Sequence, residues 1–253
     1  VSSSAGTLTA SGLESDVRGS RFTLHWQGQS AEAELRLPGR FHVENVLAAL
    51  VTVASLTKTS PLELVDALSS LEALPGRFER VAGDQPFSLI VDYAHTPGSF
   101  EKLFPFTRRF APARIITVFG SAGERDVEKR SLKGSIASEH SDIIILTDED
   151  PRDEDRMAIL DDIARGVEER SSAFVRGESL LLIPDRREAI RRALEVAQRD
   201  DLVLLLGKGH EASIIYPDGP VEWNERAVAE ELLREAGYTP EPAGNSAPVH
   251  RDG

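Results

Sequence analysis

Four short apolar runs, each followed by polar residues or glycine, constrain the fold of this chain more than any other feature. They are FSLIVDYAH (87–95), ARIITVFGSAG (113–123), SDIIILTDEDP (141–151) and DLVLLLGKGHE (201–211). Between them lie segments with apolar residues at helical spacing, namely SFEKLFPFTRRF, KRSLKGSIASEH, RMAILDDIARGVEE and RREAIRRALEVAQ. Near-continuous apolar strands that alternate with amphipathic helices predict βαβ units and a mostly parallel sheet with both faces covered. The chain is therefore predicted to be an α/β protein.

The first 74 residues have a different pattern and predict a separate region. Alternating apolar and polar residues over 6–37, as in FTLHW and AEAELRL, predict half-buried antiparallel strands. HVENVLAALVTVASL and SPLELVDALSSL then predict two helices, the second with Ser60 as N-cap and Pro61 at its first position. The break at 74–76 separates this region from the α/β domain at 75–238. Residues 239–253 are rich in Pro, Gly and Ser, and they predict a disordered tail.

Composition argues against several classes of function. A formal net charge of −13 disfavours binding to nucleic acid or to an anionic membrane, because such a surface repels phosphate unless cations gather locally. Cysteine is absent, which excludes disulfides, thiolate metal sites and a Cys nucleophile. No apolar run reaches the roughly 18 to 20 residues that span a bilayer, and the N-terminus lacks the pattern of a signal peptide. We therefore expect a cytoplasmic protein.

Every conspicuous polar cluster follows one of the predicted strands. The clusters are VDYAHTP (91–97), FGSAGERDVEKR (119–130), the acidic run TDEDPRDED (147–155) and GKGHE (207–211). In open parallel sheets, ligands bind beyond the carboxyl ends of the strands, so these clusters are candidates for one site. This coincidence of position is stronger evidence for a site than any single motif.

Each cluster also has a simpler structural interpretation. Asp92 could accept hydrogen bonds from a ribose or hold a cation, or it could cap the next helix. Small residues at 120–123 could admit an anion with Arg125, Lys129 and Arg130 nearby, or they could form a tight turn before a solvated helix. The acidic run could hold an amino acid, with its Arg pairing the ligand carboxylate, or it could be a solvated loop. GKGHE is not a P-loop, because the spacer and the Ser or Thr of that motif are missing.

Six segments in order resemble the Mur ligases: GRFHVENVLAA, LPGRFE, VDYAHTP, FGSAGERDVEKR, TDEDPR and GKGHE. The resemblance covers about residues 39–238, and within the family it is strongest to enzymes that join a diamino acid to UDP-N-acetylmuramoyl-L-alanyl-D-glutamate. It implies a Rossmann-like C-terminal domain that binds the incoming amino acid. Residues 1–74 would then be the end of the central ATPase domain, while the P-loop, the carbamylated lysine, most Mg²⁺ ligands and the UDP pocket would lie outside this sequence.

The resemblance also implies roles for individual residues. The positions that match the family's ATP contacts are Asn45, Arg77, Asp92, Tyr93 and His95. The positions that match its amino-acid contacts are Arg130, Asp150, Pro151, Arg152, Gly207 and Glu211. Supporting roles fall to Arg125, Asp126, Lys129, Lys208 and His210. No catalytic residue and no metal ligand is assigned within this chain.

The implied activity is that of an ATP-dependent acid–amino-acid ligase of peptidoglycan synthesis, which uses Mg²⁺ and acts through an acyl-phosphate intermediate. Asp150 stands where the family usually has Asn, Gly98 where it has Asp, and Ser121-Ala122 where its turn is richer in Gly. Arg152 favours meso-diaminopimelate, whose second carboxylate needs a cation, whereas the carboxylate of Asp150 would suit lysine or ornithine. We lean slightly to diaminopimelate.

Two alternatives stay open. One is another ligase of the Mur or folylpolyglutamate type, and the other is a Rossmann-like module that binds an amino acid or nucleotide without turnover. Under the ligase interpretation the partners are the UDP-linked dipeptide, the diamino acid and ATP, and we expect a monomer with a hinge at Pro75-Gly76. The chain by itself is expected to bind but not to catalyse.

Overall fold

The computed structural model describes residues 2–3, 6–16, 18–71, 74–109, 111 and 113–241. The chain divides into two compact units, the first holding Val1–Leu74 and the second Pro75–Pro242. This division falls at the break that separates the two sequence patterns. Within the described part of the chain, no helix is both long enough and apolar enough to cross a membrane.

The first unit combines antiparallel strands with two helices. Its elements are β1 (Ser2–Ser3), β2 (Gly6–Thr7), β3 (Thr9–Asp16), β4 (Gly19–Trp26), β5 (Gln29–Leu35), α1 (Arg40–Thr57) and α2 (Val65–Ser69). β3, β4 and β5 form one antiparallel sheet, whose buried face includes Phe22 and Leu24 and packs with Val46 and Leu50 of α1. The alternation of apolar residues therefore becomes one buried face, as expected for a sheet that is solvated on the other side.

The second predicted helix of this unit begins differently from the expectation. Pro61–Leu64 form a 3-10 turn before α2, because the amide of Glu63 donates to the carbonyl of Ser60 and tightens the first turn. Ser60 is the N-cap, as predicted, and its hydroxyl accepts a hydrogen bond of 3.2 Å from the amide of Leu62.

The second unit is an α/β domain. Its elements are β6 (Glu79–Arg80), β7 (Ser88–Asp92), α3 (Pro97–Arg108), β8 (Ile115–Phe119), α4 (Glu128–His140), β9 (Ile143–Leu146), α5 (Arg156–Arg170), β10 (Leu180–Leu182), α6 (Arg186–Val196), β11 (Leu202–Leu206), β12 (Ser213–Tyr216), β13 (Gly219–Glu222) and α7 (Glu225–Glu235). One sheet has the order β10-β9-β8-β11-β7-β6, in which only β6 is antiparallel. The predicted α/β class is confirmed.

The apolar runs form the centre of this sheet because they are covered on both faces. All five residues of β8 and of β11 are buried, and Val118 and Val203 belong to one core with residues of α6 and α7. Glycine lets α4 and α5 approach closely, since a Cβ added at Gly166 would lie 1.9 Å from the carbonyl oxygen of Ser131. Such contacts fix where the strand ends lie.

The described end of the chain lies against the second unit. The amide of Thr239 donates to Asp84 at 2.7 Å, and the amide of Glu241 donates to the carbonyl of Ala82 at 2.8 Å. Three residues of the predicted tail, 239–241, are therefore ordered by backbone pairing, and the other residues of that tail lie outside the described residues.

The ends of the parallel strands form two opposite borders of the sheet, which are named here by strand direction. The carboxyl edge is where β7, β8, β9, β10 and β11 end, and the amino edge is where they begin. Because Leu206 pairs with Asp92 and Phe119 with Leu146, the segments that follow these strands emerge side by side at the carboxyl edge.

Candidate functional site

The carboxyl edge gathers the four polar clusters that the sequence singles out. VDYAHTP follows β7, the FGSAG turn follows β8, the acidic run follows β9 and GKGHE follows β11. The amide of Gly207 donates to the carbonyl of Asp92 at 3.1 Å, and the amide of Gly123 donates to the carbonyl of Asp150 at 2.8 Å. Neighbouring clusters are thus joined by backbone hydrogen bonds.

A buried ammonium organises the centre of this edge. Lys208 Nζ is fully buried and lies 2.8 Å from Asp150 Oδ1 and 2.6 Å from Glu211 Oε2. The same oxygen of Asp150 accepts a hydrogen bond of 3.0 Å from the amide of Ile215, and Tyr93 donates its hydroxyl to Glu211 Oε1 at 3.1 Å. We call Asp150, Lys208 and Glu211 the Lys208 cluster. The Glu211 side chain is about one-third exposed, so the cluster opens to solvent through this carboxylate.

Arg152 presents a cation beside this cluster. Its φ is 55°, a left-handed conformation that is uncommon for residues other than glycine. Its amide donates to the carbonyl of Ile215 at 3.0 Å, which anchors the strained backbone to β12. Its Nε is buried and has no hydrogen-bond partner among the described residues. A strained backbone that holds an unpaired guanidinium is the kind of feature that clusters at ligand sites.

Pro151 lies between these two charged residues and is buried. A Cβ added at Gly123 would lie 2.0 Å from the carbonyl oxygen of Pro151, so only glycine permits this contact between the turn after β8 and the acidic loop. Pro151 is thus placed to shape the loop rather than to contribute a polar group.

Asp148 ties the acidic loop to the β12–β13 hairpin. Arg156 Nε donates to Asp148 Oδ2 at 2.8 Å, and the hydroxyl of Tyr216 donates to the same oxygen at 3.2 Å. Burial raises the pKa of Asp148, although the bonds from Arg156 and Tyr216 oppose that rise. Burial and the nearby Asp148 carboxylate raise the pKa of Tyr216 to about 12. This part of the acidic run is a structural joint and not a solvated loop.

Lys133 and Glu149 form a buried pair that sequence reasoning missed. Lys133 Nζ donates to the carbonyl of Gly120 at 2.7 Å and lies 3.7 Å from Glu149 Oε2. That carboxylate oxygen is buried and has no hydrogen-bond partner in the described part of the chain, and a Cβ at Gly207 would lie 2.8 Å from it. Burial lowers the pKa of Lys133, and Glu149 opposes the change. The signal was the helical spacing of Lys133 with Arg130 and Ala137, which puts it on the buried face of α4.

Arg130 also lies on that buried face. Its guanidinium is 2% exposed and pairs with Glu154 at 2.7 Å and with Asp162 at 3.1 Å. Its Nε is buried with no hydrogen-bond partner among the described residues. Because Arg125 and Lys129 are exposed on the surface, the structure does not bring the three cations of this segment into one clamp. Lys129 instead pairs with Asp126 at 3.2 Å.

An aromatic wall stands on the other side of the Lys208 cluster. The guanidinium of Arg77 lies 4.6 Å from the centroid of the Tyr93 ring, and the rings of His95 and His210 lie 4.6 and 4.9 Å from the same ring. His95 Nδ1 lies 2.8 Å from the carbonyl oxygen of Tyr93, which orients the imidazole. Burial and Glu211 raise the pKa of Tyr93, so its phenol stays protonated and donates.

Asp92 stabilises the backbone that carries this aromatic wall. Its Oδ2 accepts a hydrogen bond from the amide of Phe78 and its Oδ1 accepts one from the amide of Ala94, each at 2.7 Å. Burial raises the pKa of Asp92, and these two bonds oppose the rise. Asp92 therefore holds the backbone that carries Arg77 and Tyr93. Asn45, the remaining residue of the predicted ATP contacts, belongs to the first unit and is exposed on α1.

Two glycines allow the segment before β6 to meet the GKGHE segment. A Cβ at Gly76 would lie 2.3 Å from the carbonyl carbon of Gly209. A Cβ at Gly209 would lie 2.7 Å from Tyr93 Cβ, and this glycine has a φ of 47°. Side chains at either position would push the aromatic wall away from the Lys208 cluster.

A fully buried ion pair lies under the edge and was not predicted. Arg186 donates to both carboxylate oxygens of Glu225, at 2.6 and 2.9 Å. It also donates to the carbonyl of Asp148 at 2.9 Å and to the carbonyl of Leu206 at 2.8 Å. Arg186 therefore ties together the ends of β9 and β11, which carry the acidic loop and the Lys208 cluster.

The edge thus offers a guanidinium whose Nε lacks a partner among the described residues, a partly open anionic cluster and an aromatic wall with a second guanidinium. Such a surface can hold a zwitterion and a planar group side by side. Within the described ranges, no three His, Asp or Glu side chains converge in a way that could hold a metal ion.

Comparisons with known proteins agree with one another. The family model described as "Mur ligase, glutamate ligase domain" matches residues 76–209. The chain is 45% identical over 233 residues to the "UDP-N-acetylmuramyl-tripeptide synthetase" of Borreliella afzelii (strain PKo), covering 92% of this chain and 45% of the relative. It is 50% identical over 234 residues to the protein of the same name from Roseiflexus sp. (strain RS-1), covering 91% and 45%.

A solved structure has the same fold. It is described as UDP-N-acetylmuramoyl-L-alanyl-D-glutamate--2,6-diaminopimelate ligase, and it matches with a TM-score of 0.62 and 31% identity. The match covers 92% of this chain and 46% of that chain. The chain spans about half the length of the curated relatives it matches.

Proposed function

The chain belongs to the Mur ligase family, and residues 76–209 match the glutamate ligase domain of that family. We propose that the chain supplies the amino-acid-binding part of an ATP-dependent ligase. The proposed reaction joins a diamino acid to UDP-N-acetylmuramoyl-L-alanyl-D-glutamate, as the names of its relatives suggest. The proposal includes Mg²⁺ with ATP, a cytoplasmic location and a monomer.

The observation that carries this proposal is that Arg152 and the Lys208 cluster both lie at the carboxyl edge of the sheet. Arg152 has a buried Nε without a hydrogen-bond partner among the described residues, and Glu211 is a partly exposed carboxylate of the same edge. One end of an amino acid carries an ammonium and a carboxylate, so it needs one anionic and one cationic partner. The two groups supply that complement in a partly dehydrated place, where charge-assisted hydrogen bonds are strong.

The same groups favour meso-diaminopimelate over lysine or ornithine. A guanidinium binds a carboxylate through two parallel hydrogen bonds, and only diaminopimelate has a carboxylate at its distal end. The carboxylate of Asp150, which could favour a simple ammonium, already accepts bonds from Lys208 and from the amide of Ile215. Gly207 leaves room beside Glu149, because a side chain there would meet this carboxylate.

We place Arg130 in the amino-acid site as a residue that acts mainly through its neighbours. Its ion pairs with Glu154 and Asp162 leave only Nε without a partner, so it stabilises the base of the acidic loop. We further propose that Arg77, Tyr93 and His95 line the nucleotide site, where the ring and the guanidinium could contact a purine and a phosphate. Asp92 supports them, and Asn45 stays a proposed contact of the adenine.

When bound, ATP would supply the phosphoryl group that activates the acceptor carboxylate. The residues of this chain hold the incoming amine in position, exclude water around it and match its charges. His210 is exposed beside Tyr93, and Arg125 and Lys129 are exposed beside the turn after β8, so all three remain available to support ligands.

The decisive experiment is an ADP-release assay on the full-length protein. We expect release that depends on the UDP-linked dipeptide and on a diamino acid, with meso-diaminopimelate better than lysine or ornithine. Release only with D-alanyl-D-alanine or with glutamate would support another ligase of the family instead. No release with any of these acceptors would refute the ligase proposal, and measurable ATPase activity of the 253-residue chain alone would refute its predicted inactivity.

A further inference from the structure

The Lys208 cluster contains more charge than ligand binding requires. It consists of two carboxylates and one fully buried ammonium, so its net charge is −1. A buried lysine is costly to desolvate, and an apolar residue of similar volume often stabilises a fold equally well. Packing alone therefore does not explain why an ammonium lies at this position.

The ammonium of Lys208 lies between the carboxylates of Asp150 and Glu211. It makes contacts of 2.8 and 2.6 Å with their oxygens. The remaining charge of −1 is presented to solvent mainly by Glu211, because its carboxylate is the more exposed of the two. Together with the +1 of Arg152, the site as a whole matches the distal end of an amino acid that carries both an ammonium and a carboxylate.

We infer that Lys208 is a specificity-determining residue: its buried ammonium sets the charge of the cluster to −1 and so disfavours substrates whose distal end is an ammonium alone. This inference rests on the proposed amino-acid site. Specificity of this kind arises from a built-in group that competes with the wrong ligand, and not only from contacts with the right one. Without Lys208, two carboxylates would face the ligand, and a second positive charge would become favourable.

A series of variants that changes only this charge tests the inference in the full-length protein. Lys208→Met makes the cluster −2, Asp150→Asn makes it 0, and the double variant restores −1. The measured quantity is the ratio of kcat/KM for lysine to kcat/KM for meso-diaminopimelate. We expect this ratio to rise by about tenfold or more in Lys208→Met and to fall in Asp150→Asn, because one unit charge within a few Å outweighs thermal energy in a partly buried site.

The double variant separates the charge mechanism from a direct contact. If the cluster acts through its net charge, the ratio in Lys208→Met/Asp150→Asn returns to within about threefold of the unmodified protein. If Asp150 itself receives the ammonium of the substrate, the double variant stays as low as Asp150→Asn, and the inference is wrong. Should Lys208→Met fail to fold, the double variant is compared with Asp150→Asn: the inference expects the ratio near that of the unmodified protein in the first and below it in the second.

Lys102→Met is the matched control, because Lys102 is an exposed lysine on α3. It should leave the ratio unchanged. An unchanged ratio in a folded Lys208→Met would overturn the inference even though the ligase activity itself persists.

A binding measurement keeps this inference apart from the ligase proposal. If the unmodified protein ligates none of the diamino acids, the proposed function fails, and the cluster is then probed with 1,5-diaminopentane by calorimetry on the 253-residue chain. We expect Lys208→Met to bind this diammonium at least about tenfold more tightly than the unmodified chain does. Equal binding by both would refute the charge-setting role of Lys208.

Discussion

The amino edge and the carboxyl edge of the same sheet use charge in opposite ways. At the amino edge, Asp201 accepts hydrogen bonds from Arg114 at 2.6 Å and from the amide of Gln198 at 2.8 Å, and its carboxylate is almost fully buried. Asp142 in turn accepts bonds from the amide of Ile115 and from Arg108. Asp201 thus has partners on both carboxylate oxygens, and Asp142 joins the start of β8 to α3 through its Oδ2.

At the carboxyl edge, charges are close together but incompletely paired. Nε of Arg130, Oε2 of Glu149 and Nε of Arg152 are buried without hydrogen-bond partners among the described residues. Unsatisfied buried polar atoms cost stability, so they persist where they serve another purpose. Among charged side chains, partner satisfaction rather than the amount of charge separates the structural edge from the candidate site; the neutral Gln85, which precedes β7, also has a buried Oε1 without a partner among the described residues. Four predictions test this difference.

The largest effect is expected at the amino edge. Asp201→Ala should lower the free energy of unfolding by about 3 kcal/mol, because Arg114 loses its partner and two backbone amides lose their acceptor. Binding of meso-diaminopimelate should stay the same, since the change is at the far end of the strands. Urea denaturation and calorimetry measure the two quantities.

The stabilisation by Asp201 should also depend on pH. Burial of Asp201 works against ionisation, but the hydrogen bonds from Arg114 and Gln198 prevail and hold the pKa of Asp201 below its usual value. The stabilisation is then present above the unfolded pKa of about 3.9 and is lost as pH falls through the lower folded pKa. The difference between the unmodified chain and Asp201→Ala should shrink below about pH 4. The exposed Glu169→Ala is the control, and a similar loss of stability in it would contradict the prediction.

The second effect is expected at the carboxyl edge and affects binding. Arg152→Ala should weaken meso-diaminopimelate binding by about 1.5 to 3 kcal/mol, the range for hydrogen bonds to charged groups. Stability should change by less than about 0.5 kcal/mol, because Nε of Arg152 has no hydrogen-bond partner among the described residues to lose. Calorimetry with Arg199→Ala, an exposed arginine near the amino edge, provides the control. A large loss of stability with unchanged binding would make Arg152 a structural residue.

The third effect concerns close packing at the carboxyl edge. Gly209→Ala should cost about 1 to 3 kcal/mol more than Gly177→Ala, because both glycines have a positive φ but only Gly209 lies against the backbone of Gly76 and Tyr93. Thermal or urea unfolding of the two variants gives the difference. Equal losses would show that the aromatic wall can move away at little cost.

The smallest effect is expected at the joint between the acidic loop and the hairpin. Tyr216→Phe should cost about 1 kcal/mol, since it removes one hydrogen bond to Asp148. The folded pKa of Tyr216 is raised to about 12, so its contribution is present below the unfolded pKa of about 10 and is lost as pH rises through 12. Stability measured from pH 9 to 12 should therefore fall less steeply in Tyr216→Phe. An identical slope in the two proteins would mean that folding does not raise the pKa of Tyr216.

The elements with strong local signals were predictable from sequence. RREAIRRALEVAQ became α6 and DLVLLLGKGHE became β11, because apolar spacing and length distinguish helix from strand without reference to the rest of the chain. β10, the β12–β13 hairpin and α7 were not predicted. β10 has only three residues, and the hairpin is held in place by Asp150 and Arg152, which are remote in sequence.

The candidate site was predictable in position and less so in pairing. The rule for parallel sheets located the four clusters at one edge, and the structure brings them together there. Lys208 was placed among supporting residues, Arg130 was expected beside two other cations, and Lys133, Glu149 and Arg186 were missed. The pairs Lys208–Asp150, Lys133–Glu149 and Arg186–Glu225 have no local signature, because each joins residues that different elements bring together.

The order of apolar runs and polar ends over residues 87–211 is enough to predict a mostly parallel sheet with polar chemistry at its carboxyl edge. The order of apolar runs and polar ends is a local property, and strand direction then places every polar end on the same side. The folded structure alone shows that Lys208 neutralises Asp150, that Nε of Arg152 has no partner among the described residues and that both oxygens of Asp201 are paired. Electrostatic energy depends on distance through space and on burial, and neither quantity exists for residues 58 positions apart until the sheet has formed.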